Sequence, residues 1–154
     1  MKIREANEED IRQLVELRMQ LFAEIGELTS SDVIAELREA TQSFFADAAK
    51  NQARTWVVEV DGVVAATGTL AFFIRPPYIG NLSGREAYLL NMYTVPAHRH
   101  SGLASELLCT IMNFARSDGL GKVWLHASED GRRLYEKAGF VPNPSEMEWS
   151  PAKA

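Results

Sequence analysis

The stretch Thr94-Val95-Pro96-Ala97-His98-Arg99-His100-Ser101-Gly102-Leu103-Ala104 decides how the rest of the chain is read. Before it stands a long apolar run, Glu86 to Val95, of the kind that forms a central strand covered on both faces. Pro96 ends that strand. After it, Leu103 to Ser117 follows helical spacing. A loop that leaves a buried strand and enters a helix offers backbone N–H groups with no intrahelical partner, at the positive end of the helix dipole. Gly102 and the small Ala104 leave room for a phosphate to reach them. His98, Arg99 and His100 form the densest cationic cluster of the chain and include two of its three histidines. The stretch therefore reads as a phosphate cradle. A dinucleotide-binding loop would need a third glycine and a βαβ unit opening the chain, and a Walker-type loop would need Gly-Lys-Ser/Thr; neither is present.

Working outward, Lys2 to Glu5 reads as a first strand. Asn7 caps a helix whose first turn holds Glu8, Glu9 and Asp10; Ile11, Leu14, Val15, Leu17, Arg18, Leu21, Phe22 and Ile25 keep its period, and Gly26 stops it. Thr29 and Asp32 have capping-box spacing and open a second helix to about Ala49. Thr55 to Val60 and Val63 to Ile74 form strands joined by Asp61-Gly62, a strong hairpin signal, and Gly68 marks a bulge in the second. Arg75 to Arg85 is a loop. Beyond the second half of the cradle, Lys122 to His126 is a buried strand, Asp130 to Ala138 a short helix capped by Gly139, Phe140-Val141 a return to extended chain, and Glu146 to Trp149 a final edge strand. The order β-α-α-β-β-β-α-β-α-β, with one further strand, implies an α+β fold: a mixed sheet with helices packed on it.

The 154 residues suit one domain, 1–154, and carry no repeat or linker. The net charge of −5 argues against a nucleic-acid partner and for a cationic acceptor, so a polyanionic ligand needs a local device such as the cradle. No apolar run approaches the roughly 20 residues of a membrane span, and the N-terminus lacks a secretory apolar region. The single cysteine, Cys109, permits no intrachain disulfide, which fits a cytoplasmic setting. It reads as a small buried hydrophobe among Leu107, Leu108, Ile111 and Met112.

The pattern Arg99-x-x-Gly102-x-Ala104, together with Tyr135-Glu136-Lys137-Ala138-Gly139-Phe140 one helix and one strand later, resembles the two acetyl-CoA motifs of the GNAT superfamily of N-acetyltransferases. The resemblance implies a GNAT-like, mostly antiparallel mixed sheet flanked by about four helices, with a cofactor core over about 86–140. It implies acetyl-CoA as co-substrate and no metal. It places the cofactor against the main chain of Met92, Tyr93, Thr94 and Val95, on the loop from Arg99, His100, Ser101 and Gly102 to Leu103 and Ala104, and near Ser128, where many members carry Asn. It places Tyr135 beside the CoA sulfur as general acid. A phenol of pKa about 10 stays protonated at neutral pH and can donate to a departing thiolate.

A primary amine acceptor of pKa about 10.4 must also lose a proton. Strand alternation puts Glu86, Tyr88, Leu90 and Met92 on one face. Glu86 is the carboxylate candidate for the base, Tyr88 lies near the position where the family often has glutamate, and His126 is a second candidate. Glu24 and Glu27 at the end of the first helix, with Tyr78, Tyr88 and His126, are candidates for the acceptor pocket, whose walls draw also on Phe72, Phe73 and Trp149. No Cys–His pair is evident, so direct transfer in a ternary complex to an amine of a small molecule or peptide is expected. A non-catalytic acyl-CoA sensor is the first alternative, and an unrelated nucleotide-binding regulator is the second. An exposed C-terminal edge strand would suit a homodimer.

Overall fold

A computed structural model describes residues 1–151. Five strands, β1 (Lys2–Glu5), β2 (Ala53–Val60), β3 (Val63–Ile74), β4 (Arg85–Thr94) and β5 (Lys122–Trp124), form one sheet in chain order. The first three pairings are antiparallel, and only β4–β5 is parallel. Four helices pack on it: α1 (Ile11–Glu24), α2 (Ser31–Ala46), α3 (Leu103–Ser117) and α4 (Glu129–Lys137). The α+β architecture expected from the sequence is therefore present.

The β-branched and apolar residues of β2 to β4 are buried on both faces, which divides the core in two. On one face Leu14, Val15, Leu17 and Met19 of α1 and Phe45 of α2 meet Val57, Val64 and Tyr93. On the other, Leu103, Leu107, Leu108, Ile111 and Ala115 of α3 meet Trp56, Leu70, Ala87 and Leu89. Burying side chains of this size stabilises a fold by roughly 1.5–3 kcal/mol each. Asp61-Gly62 turns with both φ angles positive, +52° and +80°, the geometry its sequence demands.

The structure departs from the sequence reading at five points. The cap of α2 is Ser30, whose hydroxyl accepts from Val33 N, in place of Thr29. The bulge belongs to β4. Between Thr67↔Tyr93 and Thr69↔Leu90, β4 carries one residue more than β3, and Asn91 there has φ +56°. Gly68 serves the opposite need: a Cβ on it would lie 2.5 Å from Met92 Sδ and 2.8 Å from Ile111 Cδ1. The bulge also turns Met92 onto the α3 face, so it leaves the face shared by Glu86, Tyr88 and Leu90. Cys109 is exposed, since the stripe through Leu107, Leu108 and Ile111 points it outward. Finally, no strand follows α4 among the described residues. Residues 140–151 run as coil with Val141, Met147 and Trp149 exposed, and β5 is the sheet edge.

One polar network ties the N-terminal elements together. Asp10, only 3 % exposed, accepts from Arg4 at 2.6 and 2.8 Å and from Asn7 N at 2.8 Å, while Arg4 also reaches Glu59 at 3.0 Å. Arg4 holds the Asp10 carboxyl below its ordinary range against the opposing effect of burial. A depressed folded-state pKa stabilises above the unfolded value and ceases to do so as pH falls through the folded one. Asp10→Asn is therefore expected to lower the melting temperature at pH 7, and the gap to wild type should narrow as pH falls below the ordinary carboxylate range. A gap that stays constant with pH would contradict this role.

Candidate active site

The site follows from where β4 and β5 separate. They pair only at Glu86↔Lys122, Ala87↔Val123 and Tyr88↔Trp124. Beyond Tyr88 the β5-facing edge of β4 is open, and the strand continues through the Asn91 bulge to Thr94. At its end Val95 leads into a short 3₁₀ turn, Pro96–His98, and the loop enters α3 through Gly102 at φ +88°. That left-handed angle is the reason for glycine there, because a Cβ would meet nothing within 4 Å. None of the backbone N–H groups of residues 100–104 donates to another described residue. The loop thus offers consecutive free donors at a helix start, the expected anion-binding geometry. Leu103 is buried in the core, so only its main chain can serve a ligand, and Ser101 and Gly102 are exposed.

The Arg99 side chain is tied to α1. Its Nη2 lies 2.7 and 2.9 Å from the Glu24 carboxylate, its Nε donates to Thr94 O at 3.0 Å, and its guanidinium sits 5.5 Å from the centre of the Tyr93 ring. Tyr93 in turn donates to Glu24 at 2.6 Å. Burial and the neighbouring Glu24 push the Tyr93 phenol up to about 12, while Tyr93 and Arg99 pull Glu24 down. Glu24 is thus a clamp between the end of α1 and the loop, and the ion pair occupies both of its oxygens. Glu27, beyond the helix, is exposed.

Tyr135 of α4 packs against the α3-side core and edge-on to Phe140, 5.9 Å between ring centres. Burial, and secondarily Tyr88, raises its pKa. Ser128 caps α4 by accepting from Gly131 N at 3.1 Å, which leaves its hydroxyl proton free to donate. An open cleft of about 1000 Å³ runs past Trp124, His126, Tyr135 and Glu146. On its β4 side the Tyr88 hydroxyl is 2.7 Å from His126 Nδ1, and His126 Nε2 is 3.9 Å from Glu146. Tyr88 stacks obliquely on Trp124 at 4.6 Å, and Phe73 meets the same indole edge-on at 6.0 Å. Burial raises the Tyr88 pKa, the backbone N–H of His126 opposes the rise, and Glu146 and Glu148 add to it.

Glu86 is withdrawn from this cleft. It is fully buried and bonded to Tyr78 Oη at 2.7 Å and to Arg75 Nη1 at 3.3 Å. Tyr78 and Glu86 thus form an anchor for the 75–84 loop, and a freely accessible carboxylate base at Glu86 is not what the geometry provides. Phe72 packs on Phe114 of α3, and Trp149 is exposed. Trp124, Asn91 and Arg18 were not singled out from the sequence as site residues. Asn within an apolar strand run was the available signal, since Asn tolerates positive φ. Among the described residues no His, Cys, Asp and Glu side chains cluster to hold a metal, and no helix is long and apolar enough to cross a membrane.

Glu24→Gln should leave global stability within about 1 kcal/mol, as expected for a solvent-exposed pair. Amide hydrogen exchange at Val95, His98 and Arg99, the bonded amides of residues 95–102, should quicken, because the tether on Arg99 is lost. Unchanged exchange in that segment would rule out the clamp.

Comparison with known proteins agrees with this geometry. Residues 13–140 match the model of the acetyltransferase (GNAT) family. No curated protein sequence matches the chain. A predicted acetyltransferase from Clostridium acetobutylicum, solved with acetyl-CoA, is 33% identical with a TM-score of 0.83, over 97% of this chain and 95% of that one. A GCN5-related N-acetyltransferase from Ralstonia eutropha (24% identity, TM-score 0.83, 98% and 99% covered) and glucosamine-6-phosphate N-acetyltransferase from Arabidopsis thaliana (22%, 0.72, 98% and 98%) share the fold. With the family match spanning the open strand edge, the loop and α4, the chain belongs to the GNAT family of acetyltransferases, enzymes that use acetyl-CoA.

Proposed function

We propose that this protein transfers the acetyl group of acetyl-CoA to a primary amine of a small molecule or peptide, by direct attack in a ternary complex. The observation that carries the reading is the open β4 edge leading into five consecutive free N–H groups at residues 100–104. The residues present fit the cofactor. The edge from Met92 to Val95 suits an extended amide-bearing arm added like a strand, the loop suits a pyrophosphate, and Ser128 has a proton to donate. When bound, acetyl-CoA supplies the activated acetyl thioester.

The chain's own groups then divide the work. Tyr135, kept protonated by its raised pKa, donates its phenolic proton to the departing sulfur. The acceptor's ammonium must be neutral to attack, and Tyr88 hydrogen-bonded to His126 offers a route for that proton toward Glu146 and solvent. Histidine suits this relay, being the side chain that ordinarily exchanges protons near neutrality. The base role considered for Glu86 passes to this pair. The aromatic faces of Phe73, Tyr88 and Trp124 suit the alkyl portion of an amine and its positive charge.

The test is thermal unfolding with acetyl-CoA, CoA, ATP and NAD added separately, followed by an amine screen. Ligand at about a hundred times its dissociation constant should stabilise by ~2.7 kcal/mol, with acetyl-CoA and CoA alone effective. Tyr135→Phe should keep that shift and lower kcat by roughly 10²- to 10⁴-fold. No shift with acetyl-CoA would overturn the cofactor assignment. Full turnover in Tyr135→Phe would overturn the acid.

A further inference from the structure

The β4 bulge carries a second group of polar side chains that acetyl transfer, as described, does not use. Asn91 sits on it, 7 % exposed, and its Nδ2 has no hydrogen-bond partner among the described residues. Its Oδ1 accepts from Arg18 Nη1 of α1 at 3.4 Å. Arg18 is half-buried, with its guanidinium 4.6 Å above the Phe22 ring one turn along the helix. Most arginines of the chain form ion pairs: Arg4, Arg38, Arg54, Arg75, Arg85, Arg99 and Arg132. Arg18 has none among the described residues. Burial pulls its pKa down, and the more distant Glu27 only opposes that effect. A partly desolvated guanidinium without a counter-ion is costly unless something completes it. Beside it, an amide donor without an acceptor is a second cost of the same sign. On the neighbouring strand the buried Thr67 Oγ1 is also without a partner, on the face that its cross-strand neighbour Val57 gives to the α1-side core.

The position matters as much as the chemistry. Asn91 lies three residues past Tyr88, on the stretch of β4 that β5 no longer covers. Its side chain reaches the α1 face, which is the acceptor side if the cofactor occupies the β4 edge. Two donors therefore meet on the bulge of β4, three residues along the strand from Tyr88, and call for a small anion. The guanidinium fork matches the two oxygens of a carboxylate. One positive charge in an acidic protein suits a monoanion better than a phosphate dianion.

We propose that Arg18 and Asn91 form a carboxylate-binding subsite, so that the acceptor is an amine that also carries a carboxylate, its amino group toward Tyr88 and His126. This inference rests on the acetyltransferase reading above.

The test compares wild type, Arg18→Gln and Arg18→Lys on the twenty standard amino acids, β-alanine and γ-aminobutyrate, each beside its carboxamide, with aminomethylphosphonate as a further arm. Acetyl-CoA binding is measured in parallel by calorimetry. For the best carboxylated acceptor, wild type should prefer the acid to its amide. Arg18→Gln should raise the KM of that acid by about 10- to 100-fold, the range of a charge-assisted hydrogen bond, with the KM of the amide and the acetyl-CoA affinity unchanged. Arg18→Lys should recover part of the loss. Acceptance of no carboxylated amine in preference to its amide, an equal loss on acid and amide in Arg18→Gln, or preference for the phosphonate would overturn the subsite. Each of those results with acetyl-CoA binding intact leaves the acetyltransferase reading standing. Loss of acetyl-CoA binding by wild type would sink both. If Arg18→Gln does not fold, Asn91→Ala serves instead, with the same discrimination between acid and amide required.

Discussion

Three residue pairs hold β4 to β5, and then the strands part. Everything about the site depends on that short parallel pairing. Had it continued, the β4 edge would be spent on sheet hydrogen bonds, and no main-chain groups would remain for a ligand. The extra residue at Asn91 lies just past the parting. It accentuates the bend of β4, swings Met92 toward α3, and sends Tyr93 to the α1 side, where it meets Glu24. Gly68 accepts the displaced methionine because it has no Cβ. The bulge, the glycine opposite and the α3 stripe through Leu107 and Ile111 are one packing solution.

The electrostatics follow from the same geometry. In an acidic protein, cationic loops near a polyanion would attract the protein's own carboxylates, and Arg99 is already satisfied by Glu24. What the loop leaves unpaired is a run of neutral N–H donors, whose strength does not depend on the protein's net charge. Glu86 illustrates the converse. Sealed at the root of β4 with Arg75 and Tyr78, it spends its charge on holding a loop in place. His126 and Tyr135 line the cleft, and Tyr88 reaches it through its hydrogen bond to His126.

Much of this was legible in the sequence. Period and punctuation located the helices and strands: α3 and β3 have the bounds that the pattern implied, and Asp61-Gly62 formed the turn it encodes. The two motifs marked the loop around Gly102 and the helix bearing Tyr135. What escaped the reading was set by tertiary contacts. Ser30 and Thr29 are equally good caps on paper, and the chain entry into α2 selects one. A bulge one residue long leaves composition unchanged while it reverses the facing of every later side chain, so simple alternation failed at Met92. Glu86 looked available because nothing local announces that Arg75 and Tyr78 fold back onto it. Cys109 was misjudged by its sequence neighbours, although the helical angle from Leu107 and Leu108 points it away. The apolar residues after α4 suggested strands, but without a pairing partner Val141, Met147 and Trp149 remain in coil.

The order of strands in the sheet is the order in the chain, and this has a consequence for synthesis. β1 waits for β2, about fifty residues later, so during translation α1 and α2 must be held by each other before any sheet exists to receive them. From β2 onward each strand that emerges finds its neighbour already made, which keeps the search short. β5 and α4 arrive last. A nascent chain stopped before them would hold most of its hydrophobic core and would lack His126, Ser128 and Tyr135, so the sheet takes shape before the far wall of the cleft exists.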